Sequence, residues 1–181
     1  MIEIAKKSVE VAVKEHKLWD VPAPKSEALE RERGAFVTLK KKGDLRGCIG
    51  YSAPLKPLYV TVRDVAAYAA VEDTRFQPVV PAELPALEFE VSVLSPLRRV
   101  SNLNEIQVGV HGLVLKKGER EGLLLPQVAP EQGWNRAEFL ENICLKSGLP
   151  NKSWLDEQAD LFSFTALVFG EERSAVAKKT R

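Results

Sequence analysis

Apolar side chains recur at Ile2, Ala5, Val9, Ala12 and Val13, the three-to-four-residue spacing of a helix with one buried stripe, so residues 2–17 read as helix. The prolines of Val21–Ser26 end that pattern. Strand formers fill Gly34–Lys40, and Lys42-Gly43-Asp44 signals a turn into a second strand over Leu45–Gly50, which predicts a hairpin. Pro57 suits the first position of a helix reaching about Glu72, with Leu58, Val62, Val65 and Ala69 as its stripe. Tyr59, Tyr68 and several alanines widen that stripe and predict burial over much of the helix girth. Pro78, Pro81 and Pro85 mark an irregular link. Leu87, Phe89, Val91 and Val93 then alternate with Glu88, Glu90 and Ser92, the two-residue period of a strand with one core face. A second hairpin is expected over Ile106–Leu115 and Gly122–Leu125, turning through Lys117-Gly118-Glu119. Asn135 reads as the cap of a helix through Lys146 that Gly148 closes, and Leu161–Phe169 as a final strand. Antiparallel hairpins interrupted by helices define an α+β class, a mostly antiparallel sheet flanked by helices, rather than a doubly wound parallel sheet.

Composition narrows the possibilities further. A chain of 181 residues suits one domain and buries enough surface to need no metal or disulfide. Its 26 basic and 25 acidic side chains leave a net charge of +1, which argues against a dedicated nucleic-acid binder, whose affinity rests on phosphate neutralisation. The basic runs, Lys40-Lys41-Lys42 and Lys178-Lys179 with Arg181, read as a hairpin tip and a frayed tail. No signal-peptide core and no apolar run long enough to span a membrane occurs, and the two cysteines, Cys48 and Cys144, form no ladder or CxxC pair. These features predict a cytoplasmic protein with no membrane association. No metal-ligand spacing and no phosphate-loop or dinucleotide fingerprint is present, so no metal or cofactor is expected.

The candidate chemistry concentrates in Leu45-Arg46-Gly47-Cys48-Ile49-Gly50. In a regular strand Arg46 and Cys48 share a face, the flanking glycines leave room for an approaching group, and a guanidinium acidifies a nearby thiol. The competing reading is a small buried hydrophobe in a tight strand. Cys144 falls on the face of Leu140 in its helix and reads as core, while His16 reads as packing or capping at a helix end. His111, preceded by Gly109 and followed by Gly112, is either structural or the base that a nucleophilic cysteine needs within hydrogen-bond reach. Asp73 and Arg75 at the end of a helix are either a salt-bridged exit or site residues, and Glu88 with Glu90 either a solvated face or an acid pair.

Several segments resemble the AMMECR family, which is named after a human chromosomal deletion region. The strongest is the hexamer Leu45–Gly50, followed by Gly34–Leu39, Asp73–Phe76, Val91–Leu94, His111–Leu113, Leu124–Val128, Trp134, Phe139-Leu140, Cys144–Leu149 and Trp154, an ordered series covering residues 5–171. Thr74 and Ser147 depart from the proline and alanine usual there. The resemblance implies a two-lobed α+β fold with a cleft near the hexamer; the expected organisation is a single domain over residues 1–175 and a basic flexible tail over 176–181. It brings no established activity. Prokaryotic relatives are similar to one component of a group that includes Memo-type and radical-SAM proteins, which implies an accessory role beside such a partner. Three readings follow, and between them enzymatic activity stays open. The first is a cleft protein in which Cys48, Arg46 and His111 bind or modify a small anionic or electrophilic ligand, with Asp73, Arg75, Gln127 and Trp134 as further cleft or interaction residues. The second is a non-enzymatic adaptor presenting Leu124–Val128 and an exposed Trp134 to a partner protein. Nucleic-acid binding through a local basic patch is the third.

Overall fold

In this computed structural model residues 1–170 are described, so the tail expected over 176–181 lies outside the described residues. The chain divides into two compact units. The first comprises Met1–Tyr51, Leu55–Ser92 and, of the described residues, 168–170; the second comprises Ser52–Pro54 and Val93–Leu167. The class is α+β, as the alternation of hairpins and helices predicts.

In the first unit the helices are α1 (Ile2–Glu15), the short α2 (Glu27–Glu30) and α3 (Leu58–Val71), and the hairpin strands are β1 (Ala35–Lys41) and β2 (Asp44–Tyr51). Both residues of the hairpin loop, Lys42 and Gly43, take positive φ, 56° and 87°, the conformation whose twist matches the paired strands. With β3 (Leu87–Leu94) and β8 (Ala166–Gly170) these strands form one sheet in the order β2-β1-β3-β8. α3 packs on α1 and on the β1–β2 hairpin. Val9, Val37, Leu39, Val62, Val65 and Val91 are completely or almost completely buried between these elements. Removing each such side chain from water stabilises the fold by about 1.5–3 kcal/mol, which explains why the structure needs no cross-link; both cysteines are free. Asp64 lies within the buried girth of α3, its carboxylate held by Lys56 at 2.7 Å and by the Arg63 Nε at 2.6 Å.

The second unit carries β4 (Arg98–Arg99), β5 (Gly112–Lys117), β6 (Arg120–Leu124) and β7 (Asp160–Phe164) in the order β4-β7-β5-β6, with the short α4 (Val128–Glu131) and with α5 (Arg136–Lys146). α5 lays Phe139, Leu140, Ile143 and Cys144 on Leu113, Leu115, Leu124 and Leu161. Asn135 caps it as expected: its Oδ1 accepts from the Ala137 and Glu138 N–H groups, and Glu138 accepts the Asn135 N–H in return.

Two expected elements change. The strand expected over Ile106–Leu115 begins only at Gly112, because the 3-10 turn Leu103–Glu105 and the turn at Val108–Val110 precede it. The strand expected over Leu161–Phe169 is two strands, broken at Thr165, which joins β7 to one sheet and β8 to the other. At the break Ser95 takes both backbone groups of Thr165, its N–H donating to the Thr165 carbonyl at 2.8 Å and its Oγ accepting the Thr165 N–H at 2.9 Å. Pro81–Ala86 within the expected irregular link winds as a 3-10 helix.

Candidate functional site

The β1–β2 register decides where Cys48 points. Counting back from the Lys42-Gly43 loop, Lys41 pairs with Asp44 and Lys40 with Leu45, a ladder that if continued would set Cys48 opposite Val37 on the core face. The register shifts instead between Leu39 and Lys40: Leu39 pairs with Gly47 and Thr38 with Cys48, leaving Arg46 as the extra, bulged residue. The bulge turns Cys48 to the face of Phe36, Thr38 and Lys40, opposite the helices. The thiol is there only partly accessible, and its Sγ accepts the Thr38 hydroxyl at 3.3 Å.

The same bulge corrects the expectation for Arg46. Two-residue alternation no longer ties its side chain to that of Cys48. Its guanidinium grips Glu83 of the Pro81–Ala86 helix with two bonds, Nε to Oε1 at 3.1 Å and Nη2 to Oε2 at 2.9 Å. Lys41 donates to the same carboxylate at 2.8 Å, and the Arg46 contact first, then Lys41, pull Glu83 down to about 2. Arg46 is a strut between the hairpin and the link.

The arginine beside the thiol is Arg75. β2 is an edge strand, so the Cys48 N–H and C=O have no strand on their outer side. Asp73 and Arg75 take that strand's place. An Asp73 oxygen accepts the Cys48 N–H at 2.8 Å, and Arg75 Nη2 donates to the Cys48 carbonyl at 3.1 Å. Arg75 in turn grips Asp73 through Nε at 2.9 Å and Nη2 at 2.7 Å, and its guanidinium stacks over the Phe76 ring, 5.5 Å from the centroid. Asp73 is buried while the Arg75 side chain is 54% exposed, with its Nη1 making no hydrogen bond among the described residues. The Arg75 contact holds the Asp73 carboxyl at about 2, against desolvation and with help from the Cys48 N–H.

Burial dominates the electrostatics of the thiol and pushes it above the usual range; the Thr38 hydroxyl and Arg75 pull it back, and Asp73 and Glu90 add to the rise. Burial thus opposes the acidification expected of the thiol, and Arg75 rather than Arg46 is the cation that favours its charged form. The glycines are also filled from within rather than left open. A Cβ at Gly47 would lie 2.1 Å from the Ala69 carbonyl oxygen of α3, and one at Gly50 would lie 2.2 Å from the Phe36 ring. Glu88 and Glu90 are separately engaged, Glu88 accepting the Gly43 N–H at 3.2 Å and Glu90 pairing with Lys40 at 3.1 Å, so they form no acid pair.

His111, Gln127 and Trp134 belong to the second unit. His111 closes the turn before β5: its Nδ1 accepts the Gln107 N–H at 3.1 Å, while its own N–H donates to the Gln107 carbonyl at 2.9 Å. With Nδ1 accepting from the backbone, His111 takes the structural part of its two readings in this turn. Gln127 precedes α4, and its Oε1 is buried without a partner. Trp134 is only partly exposed: its side chain packs against the unit's core, where Leu124 is buried, and its backbone N–H bonds the Ala129 carbonyl at 2.8 Å.

Of the expected site residues, then, the structure brings Cys48, Asp73 and Arg75 together. Sequence reasoning missed Phe36 and Thr38; the turn at Lys42-Gly43 points toward them, but only the bulge sets the register. Among the described residues no group of His, Cys, Asp or Glu is arranged to hold a metal, and no helix is long and apolar enough to cross a membrane.

An α+β protein whose edge-strand cysteine is braced by an Asp-x-Arg pair has relatives that can be recognised from sequence and structure alike. The AMMECR1 family model matches residues 2–169. A protein of Methanothermobacter thermautotrophicus is 42% identical over 178 residues, covering 95% of this chain and 93% of its own. Protein NEQ441 of Nanoarchaeum equitans is also 42% identical, over 95% of this chain and 99% of its own. The crystal structure of uncharacterized protein PH0010 from Pyrococcus horikoshii superposes with a TM-score of 0.89 at 40% identity, covering 94% of this chain and 89% of that one. The chain belongs to the AMMECR1 family.

Proposed function

We propose that this chain is a binding protein for a small anionic ligand, seated against β2 where Arg75 and Cys48 meet. The observation that carries the reading is the Arg75 guanidinium: half exposed, fixed in place by Asp73 and the Cys48 carbonyl, with Nη1 unused among the described residues. A pre-organised guanidinium loses little freedom on meeting an anion, and the Nη1 N–H groups offer a carboxylate or phosphate oxygen charge-assisted bonds. The neutral thiol then serves as a contact, and covalent handling of an electrophile is secondary, because a thiol raised by burial is a poor resting nucleophile. Arg46 supports the site from a distance by bracing the hairpin. Calorimetric titration of small carboxylates and phosphates tests the reading. Binding that Arg75→Met removes and Arg46→Met retains supports it; failure of every anion, or equal binding by the Arg75 variant, refutes it.

A second reading, the adaptor, draws on a different surface. At the end of α5 a groove of about 280 Å³ is lined by Glu141, Asn142, Cys144, Leu145, Leu149 and Asn151, and Leu145 is 76% exposed. A Memo-type or radical-SAM protein is the first partner to test. Co-purification with such a partner that Leu145→Asp abolishes favours this reading, and unchanged co-purification counts against it.

A further inference from the structure

On the face that carries the thiol, Phe36 pairs across the ladder with Gly50, and Thr38 with Cys48. Phe36 and Cys48 are therefore diagonal neighbours on one face, a relation within reach of an aromatic side chain. The ring sits directly over Gly50: a Cβ there would meet Cγ and Cδ1 at 2.2 Å and Cδ2 at 2.6 Å, so one face of the ring covers the β2 backbone. Phe36 is nonetheless only partly buried, on the strand face that it shares with Cys48. Arg75 approaches Cys48 from the outer edge of β2, bonded to its carbonyl and close enough to the sulfur to favour the thiolate. Cys48 thus has an aromatic residue as its diagonal neighbour on one face, and at its edge a guanidinium whose Nη1 makes no hydrogen bond among the described residues.

We infer that the ligand of this site is a flat aromatic anion, its ring packed against Phe36 beside Cys48 and its carboxylate or phosphate held by Arg75. The inference rests on the anion-binding reading above and adds the ligand class. A ring on the strand face and a cation at the strand edge select molecules that carry both features. An aliphatic anion engages Arg75 alone, and a neutral aromatic engages Phe36 alone. An offset-stacked or edge-to-face contact between two rings adds about two- to tenfold in affinity beyond the area it covers.

The experiment follows protection of Cys48 from iodoacetamide by peptide mass mapping, with benzoate and phenyl phosphate compared against acetate, inorganic phosphate and benzamide. Benzoate and phenyl phosphate are expected to protect at concentrations about two- to tenfold lower than their aliphatic counterparts. Phe36→Leu abolishes that difference, Phe36→Tyr keeps it and so guards against a folding defect, and Arg75→Met abolishes protection by every anion. Equal protection by aliphatic and aromatic anions, or an aromatic preference that survives Phe36→Leu, overturns the inference and leaves anion binding intact. Protection by benzamide as strong as by benzoate overturns the requirement for charge. Absence of protection by any anion removes the binding reading and the inference together.

Discussion

Arg75 lies 27 residues beyond Cys48 in the chain and donates to its carbonyl oxygen at 3.1 Å. Together with the Asp73 carboxylate on the Cys48 N–H, this contact completes the outer edge of β2 with side chains instead of a neighbouring strand. The arrangement blocks edge-to-edge pairing at Cys48 and sets a cation beside a thiol that burial keeps neutral.

The reactivity of Cys48 should report that balance. Its alkylation rate against pH is expected to rise at higher pH than that of a free cysteine, because burial disfavours the thiolate more than Arg75 favours it. Arg75→Met moves the profile further up; Arg46→Met leaves it in place, since Arg46 is spent on Glu83. A profile that shifts with Arg46 and not with Arg75 would reverse the assignment.

Asp73 makes the fold sensitive to acid. Its carboxyl titrates at about 2 when folded, below the ordinary aspartate value near 3.9 when unfolded. The stabilisation is thus present above about pH 4 and fades as pH falls through the folded value near 2. Asp73→Asn should lower stability at neutral pH by about 1–3 kcal/mol and flatten the loss between pH 4 and 2, read from denaturant melts across that range.

Gly47 is required for the approach of β2 to α3. Gly47→Ala forces a methyl to within 2.1 Å of the Ala69 carbonyl oxygen, a backbone atom that cannot swing away. A cost of about 1–3 kcal/mol is expected, seen as a lowered Tm. Gly50→Ala meets a side-chain ring instead; it should cost less and displace Phe36.

His111 should behave as a turn lock. Replacing it by alanine removes the acceptor of the Gln107 N–H, and amide exchange at Gln107 should accelerate with little change in global stability, about 1 kcal/mol or less. Exchange unchanged in His111→Ala would show that the bond does not hold the turn.

Most elements were legible because their periodicity is local. The α1 stripe, the alternation of Leu87–Val93, the Lys42-Gly43 loop and the Asn135 cap each declare themselves within a few residues, and each forms as read. The site was legible in part. Cys48, Asp73 and Arg75 stood out as chemistry-bearing residues, but pairing Cys48 with Arg46 assumed an unbroken ladder. Similarly, Leu161–Phe169 read as one strand because nothing local marks Thr165, whose backbone is claimed by the distant Ser95.

By itself the sequence determined the class, the helices and hairpins, and which residues carry chemistry, since these follow from side-chain period, turn preference and functional-group identity. The tertiary structure decided which of them act on one another. A single extra residue at Arg46 turned the thiol from the helix-packed face to the opposite face of the sheet. Packing and burial then made Arg75 its partner and raised its pKa instead of lowering it. Register and desolvation depend on what lies across the sheet, and no local pattern encodes that.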